Sequence, residues 1–255
     1  MILTIDVGNT QTVFGLFKGD ELLNSWRALT PKTRTSDEIA ALIYGMFSMC
    51  NYNFSDCKDV VISTVVPRLR EQLYELSRKY FHVEPLIVEF GIKTGLDIAY
   101  ENPHEVGADR IANSVAASNL FGPRCVVVDF GTATTFDIID NGNQYLGGVI
   151  VPGVEISAEA LFSQAAKLMK VELRAPSNVI GKNTEDSIRS GIIFGYAGLV
   201  DHLAGLIEVE MSGKPRVVST GGLAHLIAPY SNSIEKEDPN LTLKGLKIIR
   251  DLNRL

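Results

Sequence analysis

Short apolar runs alternate with amphipathic segments along the chain. Residues 60–66 and 216–220 are continuous, mostly β-branched runs, which are typical of buried strands. Apolar residues at helical spacing follow or precede such runs and predict helices over residues 39–49, 68–80, 103–120, 155–169 and 185–211. This alternation predicts an α/β fold with mixed sheets.

One pattern occurs twice. An apolar strand ends at Asp6, a turn containing Gly8 follows, and a second apolar strand leads into a Gly-containing hairpin. The same succession returns 123 residues later, with Asp129 at the strand end and Gly131 in the turn. A repeated supersecondary unit predicts two related domains, which we place at residues 1–121 and 122–255.

The two Asp-x-Gly turns are the first candidate sites. A turn without a bulky side chain lets backbone N–H groups approach a phosphate, and a hydrated Mg²⁺ would relieve the repulsion between phosphate and carboxylate. Asp6 is therefore a candidate Mg²⁺–phosphate residue, and Thr132, directly after Gly131, is a candidate phosphate donor. Asp129 either holds a cation or caps its own turn. A plain β-hairpin with an aspartate in its turn remains the alternative for each copy.

A second candidate lies before the helix of residues 103–120. Asn102, Pro103 and Glu105 are typical of a helix start, which predicts that Asp109 lies in the second turn on the same face as Glu105. A carboxylate there could accept a proton from a hydroxyl nucleophile. The alternative is a solvated acid pair with Arg110 as counter-ion.

Composition narrows the possible partners. The net charge is -6 and the pI is about 5.3, which disfavours nucleic acid and anionic lipid as partners. No uncharged apolar run reaches the length of a membrane span, since the longest stops at Asp201. The 3 cysteines and the 4 histidines lack metal-ligand spacing. The cysteines are therefore predicted to be reduced thiols in a cytoplasmic protein. Neither a P-loop nor a GxGxxG motif is present.

The two Asp-x-Gly turns and the late Thr220-Gly221-Gly222 resemble the actin, Hsp70 and sugar-kinase (actin-like ATPase) superfamily, whose members have two related ribonuclease H-like domains. More closely, the chain resembles the type III pantothenate kinase family between residue 2 and about residue 245. The motifs that carry this resemblance are Asp6–Thr10, Ser63–Pro67, Tyr100–Pro103, Gly107–Arg110, Asp129–Thr132, Pro152–Gly153, Gly181–Thr184 and Thr220–Gly222.

The resemblance implies transfer of the ATP γ-phosphate to the primary hydroxyl of pantothenate, the first step of coenzyme A synthesis. It implies Mg²⁺ bound with ATP, a monovalent cation, K⁺ or NH₄⁺, and a cytoplasmic homodimer with no nucleic acid or membrane partner. Asp109 is then the catalytic base, Asp129 the ligand of the monovalent cation, and Asp6 the Mg²⁺ residue through ATP.

The remaining residues that the resemblance assigns fall into two groups. The ATP-binding residues are Asp6, Val7, Gly8, Asn9, Thr10, Gln11, Thr12, Val13 and Thr132. The substrate-binding residues are Tyr100, Gly107, Ala108, Asp109, Arg110 and Thr184.

Three other functions stay open on the sequence. One is another small-molecule kinase of the same superfamily, such as a sugar or acetate kinase. Another is a ribonuclease H-like nuclease, which needs clustered carboxylates within one domain. A nucleotide-bound regulator without catalysis is the third.

Overall fold

The computed structural model describes residues 1–31, 33–164 and 170–254. By packing, the chain forms two compact units: Met1–Ala116 together with the segment from Asn240 onward, and Ala117–Pro239. The helix α3, Ala108–Phe121, contains the point at which the chain passes from one unit to the other.

A mixed sheet forms the centre of the first unit. Its strands are β1 (Ile2–Val7), β2 (Gln11–Lys18), β3 (Glu21–Leu29), β4 (Asp59–Thr64) and β5 (Leu86–Ile87). They lie in the order β3-β2-β1-β4-β5, with β1 antiparallel to β2 and parallel to β4. A further two-residue strand, β6 (Asp97–Ile98), follows along the chain.

Two helices cover one face of this sheet, α1 (Ser36–Ser48) and α2 (Pro67–Leu76). Thr35 caps α1 with a capping box: its N–H donates to Glu38 Oε2 at 2.8 Å, and the Glu38 N–H donates to Thr35 Oγ1 at 3.3 Å. The buried face of α1 packs with that of α2 against Leu3, Ile5 and Val7 of β1. Beyond α2 the chain continues as a π-helical turn, Ser77–Phe81.

The last helix, α7 (Leu241–Leu252), belongs to the first unit. Its buried Leu243 and Leu246 lie on the side that contacts β1, β2 and β4, and Arg250 forms an ion pair with Asp59 at the start of β4. The domain boundary predicted from the sequence, between residues 121 and 122, instead places α7 in the second domain. The amphipathic pattern of α7 defines an apolar face, but it cannot indicate which of the two sheets that face covers.

The second unit repeats the arrangement of the first. Its strands are β7 (Cys125–Phe130), β8 (Ala133–Ile139), β9 (Gln144–Pro152), β10 (Arg216–Thr220) and β11 (Ile234–Glu237). They lie in the order β11-β10-β7-β8-β9, which matches β5-β4-β1-β2-β3 strand for strand, and β7 is antiparallel to β8 and parallel to β10. The prediction of an α/β fold with two related, mixed-sheet halves is therefore confirmed.

The helices of the second unit are α4 (Val154–Gln164), α5 (Thr184–Glu210) and α6 (Ala224–Ile227). The sequence predicted the first of these over residues 155–169, and residues 165–169 lie outside the described residues. By length and composition alone, α5 could cross a membrane. Its Ile193 and Val200 are buried in the core of this unit, and Asp201 accepts hydrogen bonds from Ser231 Oγ (2.6 Å) and the Ser233 N–H (2.9 Å). These contacts are those of a core helix.

The packing of α7 on α3 can be tested at Gly245. A Cβ atom on Gly245 would collide with the carbonyl oxygen of Ala112 and lie 3.0 Å from its Cα. We expect Gly245→Ala to lower the free energy of unfolding by about 1–3 kcal/mol, because backbone atoms cannot move aside cheaply. Urea denaturation monitored by circular dichroism measures this change.

Gly45→Ala is the matched control, because Gly45 lies in α1 with no atom within 4 Å of the added Cβ. Helix propensity predicts that it raises the free energy of unfolding by about 0.5–1 kcal/mol. Equal effects of the two substitutions would contradict this account of α7.

Candidate active site

The first Asp-x-Gly corner connects β1 to β2. β1 is buried almost throughout, because it pairs with a strand on each edge and packs on both faces. Asp6 is the one residue of β1 that is not buried. The Gly8 N–H donates to the Gln11 carbonyl oxygen at 3.0 Å and closes the turn. Asn9 and Thr10 are exposed at its tip. The corner thus presents one carboxylate beside exposed backbone and hydroxyl groups.

The residues predicted to bind ATP do not all present their side chains at this corner. Val7 is buried in the core of the unit, and the Thr12 hydroxyl is hydrogen-bonded to that of Thr30 at 2.8 Å. Val13 is the cross-strand neighbour of Asp6. Any contribution of Val7 to a phosphate site would therefore come from its backbone.

The second corner connects β7 to β8 in the same way. Asp129 is the one residue of β7 that is not buried, and the Gly131 N–H donates to the Ala133 carbonyl oxygen at 3.1 Å. Thr132 is exposed at the tip. Both corners are closed by a hydrogen bond from the glycine N–H to the first residue of the next strand, although the acceptor is three residues after Gly8 and only two after Gly131.

Two further glycines pack against the second corner. Gly221 has a φ of +94°, and a Cβ on it would lie 2.5 Å from Asp129 Oδ1 and 2.6 Å from the Phe130 nitrogen. A Cβ on Gly153 would lie 2.7 Å from the Gly131 carbonyl oxygen. The Thr220–Gly222 loop therefore lies beside Asp129, and the Pro152–Gly153 turn lies beside the turn at Gly131. In the sequence, both segments are among the motifs of the family resemblance.

The segment before α3 differs from its prediction. Pro103–Glu105 is a separate 3₁₀ turn, Val106 is extended, and α3 begins at Ala108, so Asp109 lies in the first turn of its helix. The expectation that Glu105 and Asp109 share one helix face is wrong. Asn102 accounts for the break, because its side chain accepts from the His104 N–H (3.3 Å) and donates to Glu105 Oε1 (2.9 Å), satisfying the short turn locally.

The carboxyl group of Asp109 has an unusual environment. Its Oδ1 accepts a hydrogen bond from the Arg110 N–H at 2.8 Å. Burial raises the pKa of Asp109 above the ordinary aspartate value, although the Arg110 N–H and guanidinium oppose this shift. A raised pKa makes the carboxylate a better proton acceptor near neutral pH. Gly107 and Ala108 immediately precede it, and Tyr100 lies partly buried ahead of the 3₁₀ turn.

Thr184 is the exposed first residue of α5. Asn183 caps this helix, with Oδ1 accepting from the Asp186 N–H at 2.8 Å. Glu185 and Asp186 both form ion pairs with the buried Arg189, so their negative charge at this helix start is partly compensated. A polar pocket of about 270 Å³, lined in part by Arg174 and Lys182, lies next to this helix start.

The metal-binding capacity of the corners is limited. Within the described ranges, no group of three or more His, Cys, Asp or Glu side chains could hold an ion. On the neighbouring parallel strands, the residue beside Asp6 is Ser63 and the residue beside Asp129 is Thr220. One carboxylate with nearby hydroxyls fits a hydrated ion carried by phosphates. It does not fit the clustered carboxylates of a two-metal nuclease.

Solved structures resemble this chain in fold. A protein from Sinorhizobium meliloti, provisionally described as a 2-dehydro-3-deoxygalactonokinase, aligns with a TM-score of 0.63 at 12% identity over 100% of this chain and 98% of that one. Component A of the (R)-2-hydroxyglutaryl-CoA dehydratase of Acidaminococcus fermentans aligns with a TM-score of 0.57 at 16% identity over 99% of each chain. These likenesses confirm the predicted fold class.

Sequence relatives are much closer. The type III pantothenate kinase family model matches residues 2–205. A type III pantothenate kinase of Geobacillus kaustophilus (strain HTA426) is 48% identical over 253 residues, 99% of this chain and 98% of the relative. That of Geotalea uraniireducens (strain Rf4) is 48% identical over 254 residues, 100% of this chain and 99% of the relative. The chain therefore belongs to the type III pantothenate kinase family.

Proposed function

We propose that this chain transfers the γ-phosphate of ATP to the primary hydroxyl of pantothenate and so carries out the first step of coenzyme A synthesis. The observation that carries the proposal is family membership over nearly the whole length at 48% identity. The two corners and Asp109 support it, because together they supply what a phosphoryl transfer requires: phosphate contacts, a site for cations and a proton acceptor.

ATP binding is assigned to both corners. The backbone N–H groups and hydroxyls at Asn9, Thr10 and Thr132 are exposed at the two turns, where donors suit phosphate oxygens. Asp6 would hold a hydrated Mg²⁺, which neutralises charge on the phosphates. Each turn keeps its shape through its own glycine hydrogen bond, so the donors are already oriented before a nucleotide arrives.

Pantothenate binding is assigned to Tyr100, Gly107–Arg110 and Thr184, with Asp109 as the base. The half-buried carboxylate of Asp109 accepts the hydroxyl proton as the new P–O bond forms. Its position in the first turn of α3 keeps it fixed through the Arg110 N–H. The helix start at Thr184 offers N–H donors that suit the carboxylate of the substrate.

The finer assignments concern cation, assembly and location. We assign a monovalent cation, K⁺ or NH₄⁺, to Asp129, and a cytoplasmic homodimer to the protein. The dimer is supported by α5, where a Cβ added to any of Gly191, Gly195, Gly198 and Gly205 would meet no atom within 4 Å. The nearby Leu206 and Val209 are exposed, so this side of the helix can accommodate a second copy.

The direct experiment is phosphorylation by the purified protein with Mg²⁺-ATP and K⁺. A coupled ADP assay with pantothenate, glucose, N-acetylglucosamine and acetate as acceptors compares the kinase classes, and mass spectrometry identifies the product. We expect 4′-phosphopantothenate and turnover only with pantothenate. Faster turnover of a sugar or of acetate would replace this proposal with the alternative kinase.

Asp109→Asn should lower kcat by about 10²–10⁴-fold, because the amide cannot accept the proton. ATP binding, measured by calorimetry, should remain nearly unchanged. In the parent enzyme the raised pKa of Asp109 should make the rate fall with decreasing pH at values above those of an ordinary aspartate. Glu105→Gln is the control, since Glu105 lies in the separate 3₁₀ turn, and it should retain its rate. An unchanged kcat in Asp109→Asn would remove Asp109 from the role of base.

Asp129→Ala tests the monovalent site. If Asp129 holds K⁺, the parent enzyme should be faster in potassium than in sodium at equal ionic strength. The variant should lose that difference, because its ligand is gone. Steady-state rates in the two salts measure both effects, and equal rates in the parent enzyme would count against the assignment.

A further inference from the structure

Ser63, at the end of β4, lies beside the first corner. Ser63 is paired directly with Asp6 on the adjacent parallel strand, and adjacent strands lie about 4.8 Å apart. The two side chains therefore project from the same face of the sheet. Ser63 is fully buried, and within the part of the chain that the structure describes its hydroxyl has no hydrogen-bond partner. Both features separate it from an ordinary strand serine.

A buried hydroxyl without a hydrogen-bond partner lowers the stability of the fold. Alanine would fill the same space without the cost of desolvating a polar group, so packing gives no reason for a serine here. The second unit also has a buried hydroxyl residue at this position, because Thr220 is buried and is the parallel partner of Asp129. A hydroxyl therefore occupies the equivalent position beside the aspartate of each corner.

We propose that Ser63 is a positioning residue for Asp6: in the enzyme loaded with Mg²⁺-ATP, its hydroxyl donates a hydrogen bond to the Asp6 carboxylate. Rotation about one side-chain bond brings the donor toward its neighbour across the strands. The bond holds the carboxylate in its ionised form and fixes its orientation, so that one oxygen stays directed at the hydrated ion. This inference rests on the proposed kinase function of the same corner.

The test compares Ser63→Ala with Ser114→Ala. Ser114, in α3, is also fully buried, and its hydroxyl too has no partner within the described residues. Without ligand, both variants should melt at or above the temperature of the parent protein, because each loses an unpartnered polar group. With Mg²⁺-ATP, the rise in melting temperature should be smaller for Ser63→Ala only. Its half-saturating Mg²⁺ concentration in the kinase assay should increase about tenfold, the effect of one charge-assisted hydrogen bond.

The contrary results are distinct. A parent-like melting shift and parent-like Mg²⁺ dependence in Ser63→Ala would overturn the inference, as would a large loss of ligand-free melting temperature, which marks a structural role. If the parent protein fails to phosphorylate pantothenate, the proposed function fails. The Mg²⁺-ATP melting shifts of the two variants still decide the role of Ser63.

Discussion

Each sheet has a central strand that is hydrogen-bonded on both edges and covered on both faces. Charged side chains are excluded from such a strand except near its end, where the backbone leaves the sheet. In β1 and β7 this position holds Asp6 and Asp129, the one residue of each strand that is not buried. The immediate glycine turn follows from the same constraint, since the chain must reverse at once to form the neighbouring antiparallel strand.

The chemistry that we propose depends on the ends of these two strands. A carboxylate fixed by a buried strand keeps its place, and the glycine turn beside it presents backbone donors without side-chain obstruction. Gly153 and Gly221 extend this property at the second corner, where any side chain would collide with the turn or with Asp129. Membership of the type III pantothenate kinase family links this arrangement of strand ends and glycine turns to pantothenate phosphorylation.

Local patterns in the sequence were sufficient for much of this description. The strand ends, the capping box at Thr35 and the cap at Asn183 depend on neighbouring residues, so short motifs predict them. The duplication was visible because the two corners retain the same residues at a fixed offset. It predicted two related domains, and five strands of the second sheet follow the same order as the five strands of the first.

The remaining features depend on residues far apart in the chain. Tertiary contacts set the packing of α7 on the first sheet, the approach of Gly153 and Gly221 to the second corner, and the pairing of Ser63 with Asp6. The break before α3 is local but ambiguous, because Asn102-Pro103 starts a long helix or a single 3₁₀ turn equally well. We propose that the glycine turn after each strand-end aspartate binds phosphate. A crystal structure with Mg²⁺, K⁺ and a non-hydrolysable ATP analogue tests this most directly. We expect phosphate oxygens within hydrogen-bond distance of the N–H groups of the turn at Gly8, with Mg²⁺ beside Asp6. A triphosphate bound away from the glycine turns would contradict the proposal.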